Sequence, residues 1–259
     1  MDEKILICED TVEGVFTAIY EIYEKHMDLD TTRVQTSEDQ DLRLFATYES
    51  VQTDFEKAHK VTRTIRSRLG EDAYKDICMA LTTTDGDKAQ AVFKTIVTGL
   101  RMTKGNKIAY VMDNLSDAYV RKVMTLSRNA GNELHHMIEF VRFEEVTQGF
   151  LMARFSARNK ILPMMVPHFA DRLPSENFII YDERHDWAAV HPARCDWVMV
   201  EGAGAKLGLL VEEVSDSEAN YQKLYRHFVD KIAIDDRRNY ELQRNMLPIR
   251  FRKYMTEFQ

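Results

Sequence analysis

Cysteine, proline and glycine are all scarce in this chain of 259 residues, which holds 3 Cys, 5 Pro and 10 Gly. The cysteines, Cys8, Cys78 and Cys195, are far apart and odd in number, so the sequence predicts no disulfide framework and favours a reducing cytoplasm. No Cys-x-x-Cys pair occurs, which argues against a structural zinc or an iron–sulfur cluster. The opening MDEKILICED has too short an apolar run for a signal peptide or a membrane span.

Positive charge is in deficit overall but not at the C-terminal end. The formal net charge of −7 argues against a protein that coats nucleic acid indiscriminately. Residues 237–259 nevertheless carry a net +4, which leaves −11 on residues 1–236. A basic end on an acidic body indicates a site for a polyanion or an acidic partner, although basic side chains also favour the last turns of helices.

Three of the five prolines lie in the segment ILPMMVPHFADRLP, residues 161–174, together with His168, Asp171 and Arg172. On a helix these three side chains can share a face. Asp171 could orient His168 as an acid or base, and Arg172 could bind a phosphate. Alternatively, an Asp–Arg ion pair and a His bonded to a backbone carbonyl fix this helix on the sheet.

The segment GNELHHMIEFVRFEE provides a second candidate site with Glu133 and His136 on one helical face, followed by Arg142. Glu133 and His136 are candidate catalytic groups, and Arg142 is a candidate nucleic-acid contact; the alternative is a helix–hairpin junction held by ordinary hydrogen bonds. A second Glu-x-x-His pair, Glu56 and His59, resembles the motif of di-iron bundles. Two such pairs are little above chance, so we expect no metal and no other cofactor.

The basic tail is the third candidate. Arginine and aromatic residues alternate there, which suits single-stranded or flipped-base nucleic acid, an acidic protein partner, or simply a solvated helix edge. The candidate nucleic-acid contacts of the tail are Arg238, Asn239, Arg244, Arg250, Arg252 and Lys253.

Hydrophobic periodicity predicts an α+β fold. A buried strand at 4–8 and an amphipathic helix at 11–26 open a mostly helical region, residues 1–138. Residues 139–259 are predicted to form an antiparallel sheet in the order β-β-α-β-β-β, starting with a hairpin around Thr-Gln-Gly, followed by basic C-terminal helices. The two regions are expected to form one compact unit.

Three segments carry a family resemblance: GNELHHMIEFVRFEE, ILPMMVPHFADRLPSENFIIYDERHDWAAV and YRHFVDKIAIDDRRNYELQRNMLPIRFRKYMTEF. They resemble a bacterial family of DNA-metabolism or DNA-repair proteins encoded beside a radical-SAM DNA modification or repair protein. The same domain also occurs fused to uracil-DNA-glycosylase-like domains. The family commonly has an acidic, His-bearing stretch before ILP, where this chain has FSARNK, and this departure weakens any claim for a catalytic carboxylate there.

The resemblance implies a cytoplasmic DNA repair or modification protein that works with a radical-SAM partner. The chain lacks Cys-x3-Cys-x2-Cys, so it is not itself the radical-SAM enzyme, and it carries no dinucleotide, P-loop, G-x-S-x-G or deaminase motif. Three hypotheses stay open: a DNA-binding accessory, an enzyme acting on a base or sugar-phosphate through a histidine, and a module that docks an acidic protein. Whether the chain is an enzyme is left open, and no membrane association is expected.

Overall fold

A computed structural model describes residues 3–36, 43–103, 110–147, 149–205, 207 and 214–258. The strands are β1 Glu3–Cys8, β2 Thr32–Thr36, β3 Ala46–Ser50, β4 Phe143–Glu145, β5 Leu151–Phe155, β6 Phe178–Asp182, β7 Trp187–His191 and β8 Val198–Glu201. The α-helices are α1 Val12–Glu24, α2 Phe55–Arg68, α3 Glu71–Leu81, α4 Lys88–Met102, α5 Ala118–Phe140, α6 Leu162–Arg172, α7 Asp216–Ile232, α8 Tyr240–Met246 and α9 Ile249–Arg252. Two compact units make up the chain, Met1–Asn132 and Glu133–Gln259.

The first unit is built on a parallel sheet of three strands in the order β2-β1-β3. The central strand β1 buries Ile5 and Leu6 completely, as its apolar run predicts. Thr11 caps the start of α1, because its Oγ1 accepts a hydrogen bond from Gly14 N at 2.9 Å. A Cβ on Gly14 would lie 2.5 Å from Glu9 O, which explains why glycine occupies this tight strand-to-helix turn.

A buried ion pair lies just beyond the carboxyl end of β1. Lys88 Nζ lies 2.5 Å from Asp10 Oδ1, and the two side chains are only 3% and 7% exposed. The same ammonium group donates to Thr83 O at 2.5 Å. Charges buried this deeply must be paired, so this contact ties the start of α4 to the end of β1.

The second unit contains a five-stranded sheet in the order β4-β5-β6-β7-β8, and this sheet is mixed. The prediction of a purely antiparallel sheet was wrong at one step, because β5 pairs with β6 in parallel, with Leu151 opposite Phe178. α6 connects these strands, and a connection through a helix returns the chain in the same direction. The other neighbours are antiparallel, including the predicted β4–β5 hairpin.

α6 covers the sheet with one apolar face, whose buried residues are Leu162, Met165, Val166 and Phe169. The Phe169 ring meets the edge of Phe143 at 5.1 Å, and Phe143 meets Phe178 at 5.6 Å. Pro167 lies inside the helix without ending it. By contrast, α7 and α8 have no buried residue. None of the helices in the ranges given above combines the length and hydropathy that a membrane crossing requires.

Candidate nucleic-acid interface

The polar side chains of α6 lie on its solvent face. His168, Asp171 and Arg172 are all exposed. None of these three side chains forms a hydrogen bond or ion pair with any residue that the structure describes. The expected alternative, an Asp171–Arg172 pair that fixes the helix, is therefore not formed there. The proposed site roles of the three residues stay predictions.

Asp171 borders a surface cleft of about 690 Å³ between α6 and the loop from β7 to β8. Its wall includes Arg194 and, from β7, His191, which is only 4% exposed. His191 Nδ1 donates to Glu176 O at 3.0 Å, and its ring stacks on Phe178 at 4.4 Å. The other ring nitrogen of neutral His191 is then an acceptor. A His at a buried strand position gives no distinct sequence pattern, so His191 was not among the predicted site residues.

Glu133, a candidate catalytic group, holds a loop. Its side chain is buried, and its two carboxylate oxygens accept hydrogen bonds from Arg158 N at 2.8 Å, Asn159 N at 3.0 Å and Asn159 Nδ2 at 2.7 Å. These three donors account for the buried carboxylate without any substrate. His136, its predicted partner, makes no hydrogen bond to it in the part of the chain the structure describes.

His136 belongs to an aromatic cluster instead. Its ring stacks on Phe140 at 5.9 Å and meets the edge of Phe251 at 5.7 Å. The Arg250 guanidinium lies 4.7 Å from the Phe251 ring centre. Since Phe251 belongs to α9, this cluster anchors the C-terminal segment to the end of α5, which is the structural alternative to a catalytic His136.

Arg142 forms an internal ion pair. Its Nη2 lies 3.1 Å from Glu257 Oε1, and its Nη1 donates to the carbonyl oxygens of Glu139 and Val141 at 3.0 and 3.2 Å. Glu257 Oε2 is buried and has no hydrogen-bond partner in the described structure. Arg142 therefore contributes to docking the C-terminal segment, and little of its hydrogen-bonding capacity remains for a phosphate.

Two more cations of the tail make similar contacts. Arg252 donates to Leu247 O from Nε and Nη2, at 3.3 and 3.2 Å. Lys253 Nζ lies 2.8 Å from Glu183 Oε2, the oxygen to which the Tyr254 hydroxyl donates at 2.7 Å. Burial raises the pKa of Glu183, but the bonds from Lys253 and Tyr254 outweigh it and hold that pKa below its usual range. The Glu183 carboxylate in turn raises the pKa of Lys253.

Two of the remaining tail candidates, Arg238 and Asn239, line a second cleft, of about 830 Å³, between α7 and the tail, whereas Arg244 and Arg250 lie outside its wall. Its wall includes Arg237, Arg238, Asn239, Tyr240 and Gln243. Asn239 caps α8, because its side chain accepts a hydrogen bond from the backbone N of residue 242 at 2.9 Å. The Tyr240 ring is 70% exposed. Guanidinium groups beside an exposed ring can pair with phosphates and stack on a base.

Exposed arginines also lie in this region. They are Arg237 in the cleft wall, Arg244 on α8 and Arg250 on α9. The side chains of Arg237 and Arg244 make no hydrogen bond or ion pair within the ranges the structure covers. The contacts therefore divide the basic residues: Arg142, Arg252 and Lys253 hold the fold together, whereas Arg237 and Arg244 are available to a ligand.

Asp182 and His185 form a pair that the sequence analysis missed. Asp182 is completely buried, and its Oδ2 lies 2.6 Å from His185 Nδ1. Its Oδ1 accepts a hydrogen bond from Arg184 N at 3.1 Å. A carboxylate on Nδ1 fixes the orientation of an imidazole, as it does in acid–base sites. An Asp-x-x-His directly after the apolar strand FIIY was the available signal.

The region that carries these side chains matches a family model over residues 87–257, about two thirds of the chain. The chain belongs to the DUF4130 family. That family is described as a domain of unknown function. No curated protein matches the chain. A solved structure titled as the DHH domain of a member of a ribosomal protein family is similar over 85% of this chain and 75% of its own, at 9% identity and a TM-score of 0.31. In the described part of this DUF4130 chain, no three His, Cys, Asp or Glu residues are grouped to hold a metal ion.

Proposed function

We propose that this DUF4130 protein binds single-stranded DNA through the cleft between α7 and the tail, as an accessory in DNA repair or modification. The observation that carries the proposal is the wall of that cleft, where arginine and amide side chains surround an exposed tyrosine ring. Bases stack on such rings regardless of sequence, and arginines pair with the phosphates. The resemblance to proteins encoded beside a radical-SAM protein supports the repair setting and that partner.

The test is fluorescence anisotropy with single-stranded, duplex, uracil-containing and abasic oligonucleotides, at a series of salt concentrations. Arg237→Ala/Arg244→Ala should weaken binding and reduce the salt slope by about 1.4, because each phosphate contact on a single strand contributes about 0.7. Tyr240→Ala should cost about 1–3 kcal/mol, the usual worth of one stacked base. The matched control is Lys75→Ala/Arg128→Ala, two exposed cations of the first unit.

The two double variants distinguish DNA binding at the cleft from general electrostatic attraction of DNA to the protein surface. If the control weakens binding as much as Arg237→Ala/Arg244→Ala, attraction is diffuse and the cleft is not the site. If the wild-type protein binds none of the oligonucleotides, the nucleic-acid proposal is wrong and the acidic-partner alternative takes its place. Pull-down of the radical-SAM protein by the same two variants then tests that alternative.

A second candidate function rests on the Asp182–His185 pair. His185 is 11% exposed and paired with a buried carboxylate, an arrangement that suits a general acid or base acting on a base or sugar-phosphate. If His185 is the general acid or base, His185→Gln should abolish the formation of product from an oligonucleotide. The affinity of the protein for that oligonucleotide should stay unchanged. Product formation by His185→Gln at the wild-type rate would refute this second candidate.

A further inference from the structure

α7 is oriented in the opposite way to an ordinary surface helix. Its polar side faces the body of the second unit, where Gln222 Nε2 donates to Glu144 Oε1 at 3.2 Å. Its start is held by Ser217 Oγ, which donates to Glu145 Oε2 at 2.9 Å. An amphipathic helix normally buries its apolar stripe in the core. Here the helix is attached through polar contacts, and its apolar side chains are left outside.

The exposed side chains form a continuous stripe, which we call the α7 stripe. Its members and their exposed fractions are Tyr221 68%, Leu224 63%, Tyr225 41%, Phe228 56% and Ile232 58%. Contiguous apolar patches of this kind mark interaction sites rather than ordinary solvent-facing surface.

We propose that the α7 stripe is the interface of a homodimer, in which two copies of α7 pack antiparallel across a two-fold axis. Four of its residues, Tyr221, Tyr225, Phe228 and Ile232, are spaced by four, three and four positions. That spacing is the a/d pattern of helix pairs, and it reads the same in both directions. A second antiparallel copy therefore matches it position for position, as an isologous two-fold contact requires.

The area of the α7 stripe reaches the lower limit for a specific dimer. An aromatic side chain covers about 150–250 Å² when fully buried, so the five side chains of the stripe, which are about half exposed, offer roughly 100 Å² each. The stripe then amounts to roughly 500 Å² per copy, or about 1,000 Å² for the pair, which is the smallest total area expected of a specific interface. This inference does not depend on nucleic-acid binding.

Mass measurement by light scattering across a dilution series tests the dimer. The expected result is twice the chain mass of 30.2 kDa for the wild type and a single chain mass for Phe228→Glu, which places a charge in the stripe. The matched control is Lys223→Glu on the opposite side of the same helix, which should remain dimeric. A wild type that stays monomeric throughout, or a Phe228→Glu variant that stays dimeric with unchanged circular dichroism, overturns the proposal.

Disulfide cross-linking tests the direction of the helices, in a Cys195→Ser background. A mixture of Tyr221→Cys and Ile232→Cys proteins should form a cross-link between the two variants, because an antiparallel pair brings these positions together. Neither variant should link to itself, since eleven residues of helix separate like positions by about 16 Å, beyond the reach of a disulfide. Self-linking of either variant alone, as in a parallel pair, would refute the antiparallel arrangement.

Discussion

Glu133→Gln separates the structural role of this carboxylate from the catalytic role that its sequence context suggests. Wild-type Glu133 accepts three hydrogen bonds from Arg158 and Asn159 in a site that is only 6% exposed. Glutamine can place its carbonyl oxygen where Oε2 accepts the two bonds from Asn159, but its NH₂ group then faces the backbone N–H of Arg158. One bond to a charged acceptor is lost, so we expect the free energy of unfolding to fall by about 1.5–3 kcal/mol.

Urea denaturation followed by circular dichroism measures this loss, with Glu139→Gln as the matched control. Glu139 lies on the same helix, is half exposed, and its carboxylate pairs with the exposed His135 at 3.0 Å. An exposed pair of this kind contributes little, so the control should stay within about 0.5 kcal/mol of the wild type. If Glu133→Gln is no less stable than Glu139→Gln, the bonds that hold the 158–159 loop do not have the strength assigned to them.

Two further predictions concern groups buried in the first unit. Burial raises the pKa of the Cys8 thiol to about 12 and that of Cys78 to about 11, so a thiol reagent should modify only the exposed Cys195 in the folded protein and all three cysteines in denaturant. Lys88→Met removes the ammonium group that lies 2.5 Å from the buried Asp10 carboxylate and should lower the free energy of unfolding by about 3–5 kcal/mol. Asp10→Leu/Lys88→Met should recover most of that loss, whereas strictly additive losses in urea titrations would contradict a coupled pair.

The sequence predicts the elements of the fold well because each has a local pattern. The apolar run of β1 and the cap at Thr11 are properties of a few neighbouring residues, and the structure contains both. The direction of β6 relative to β5 is not local, since alternation along a strand is the same in parallel and antiparallel sheets. The intervening helix α6 was the clue, because a helical crossover returns the chain parallel.

The candidate site likewise has some features that local sequence predicts and others that depend on distant residues. Helix phase alone separates the buried face of α6, with Met165 and Phe169, from the side that carries His168. The ion pair of Arg142 could not be predicted from helix periodicity. Its partner Glu257 is 115 residues away, and only the folded tail brings the two charges within 3.1 Å. Long-range pairing of this kind decides which cations remain available to a ligand.

α7 shows that a pattern which predicts a helix does not determine how that helix packs. Its apolar periodicity predicts a helix, and the helix is present, but periodicity does not specify which surface the stripe meets. Hydrogen bonds from Gln222 and Ser217 to Glu144 and Glu145 fix the polar side of α7 inward. No residue that the structure describes in this unit fully covers the stripe. A stripe whose spacing is unchanged by reversal is best matched by a second copy of itself, and this symmetry favours a homodimer over a partner of unrelated sequence.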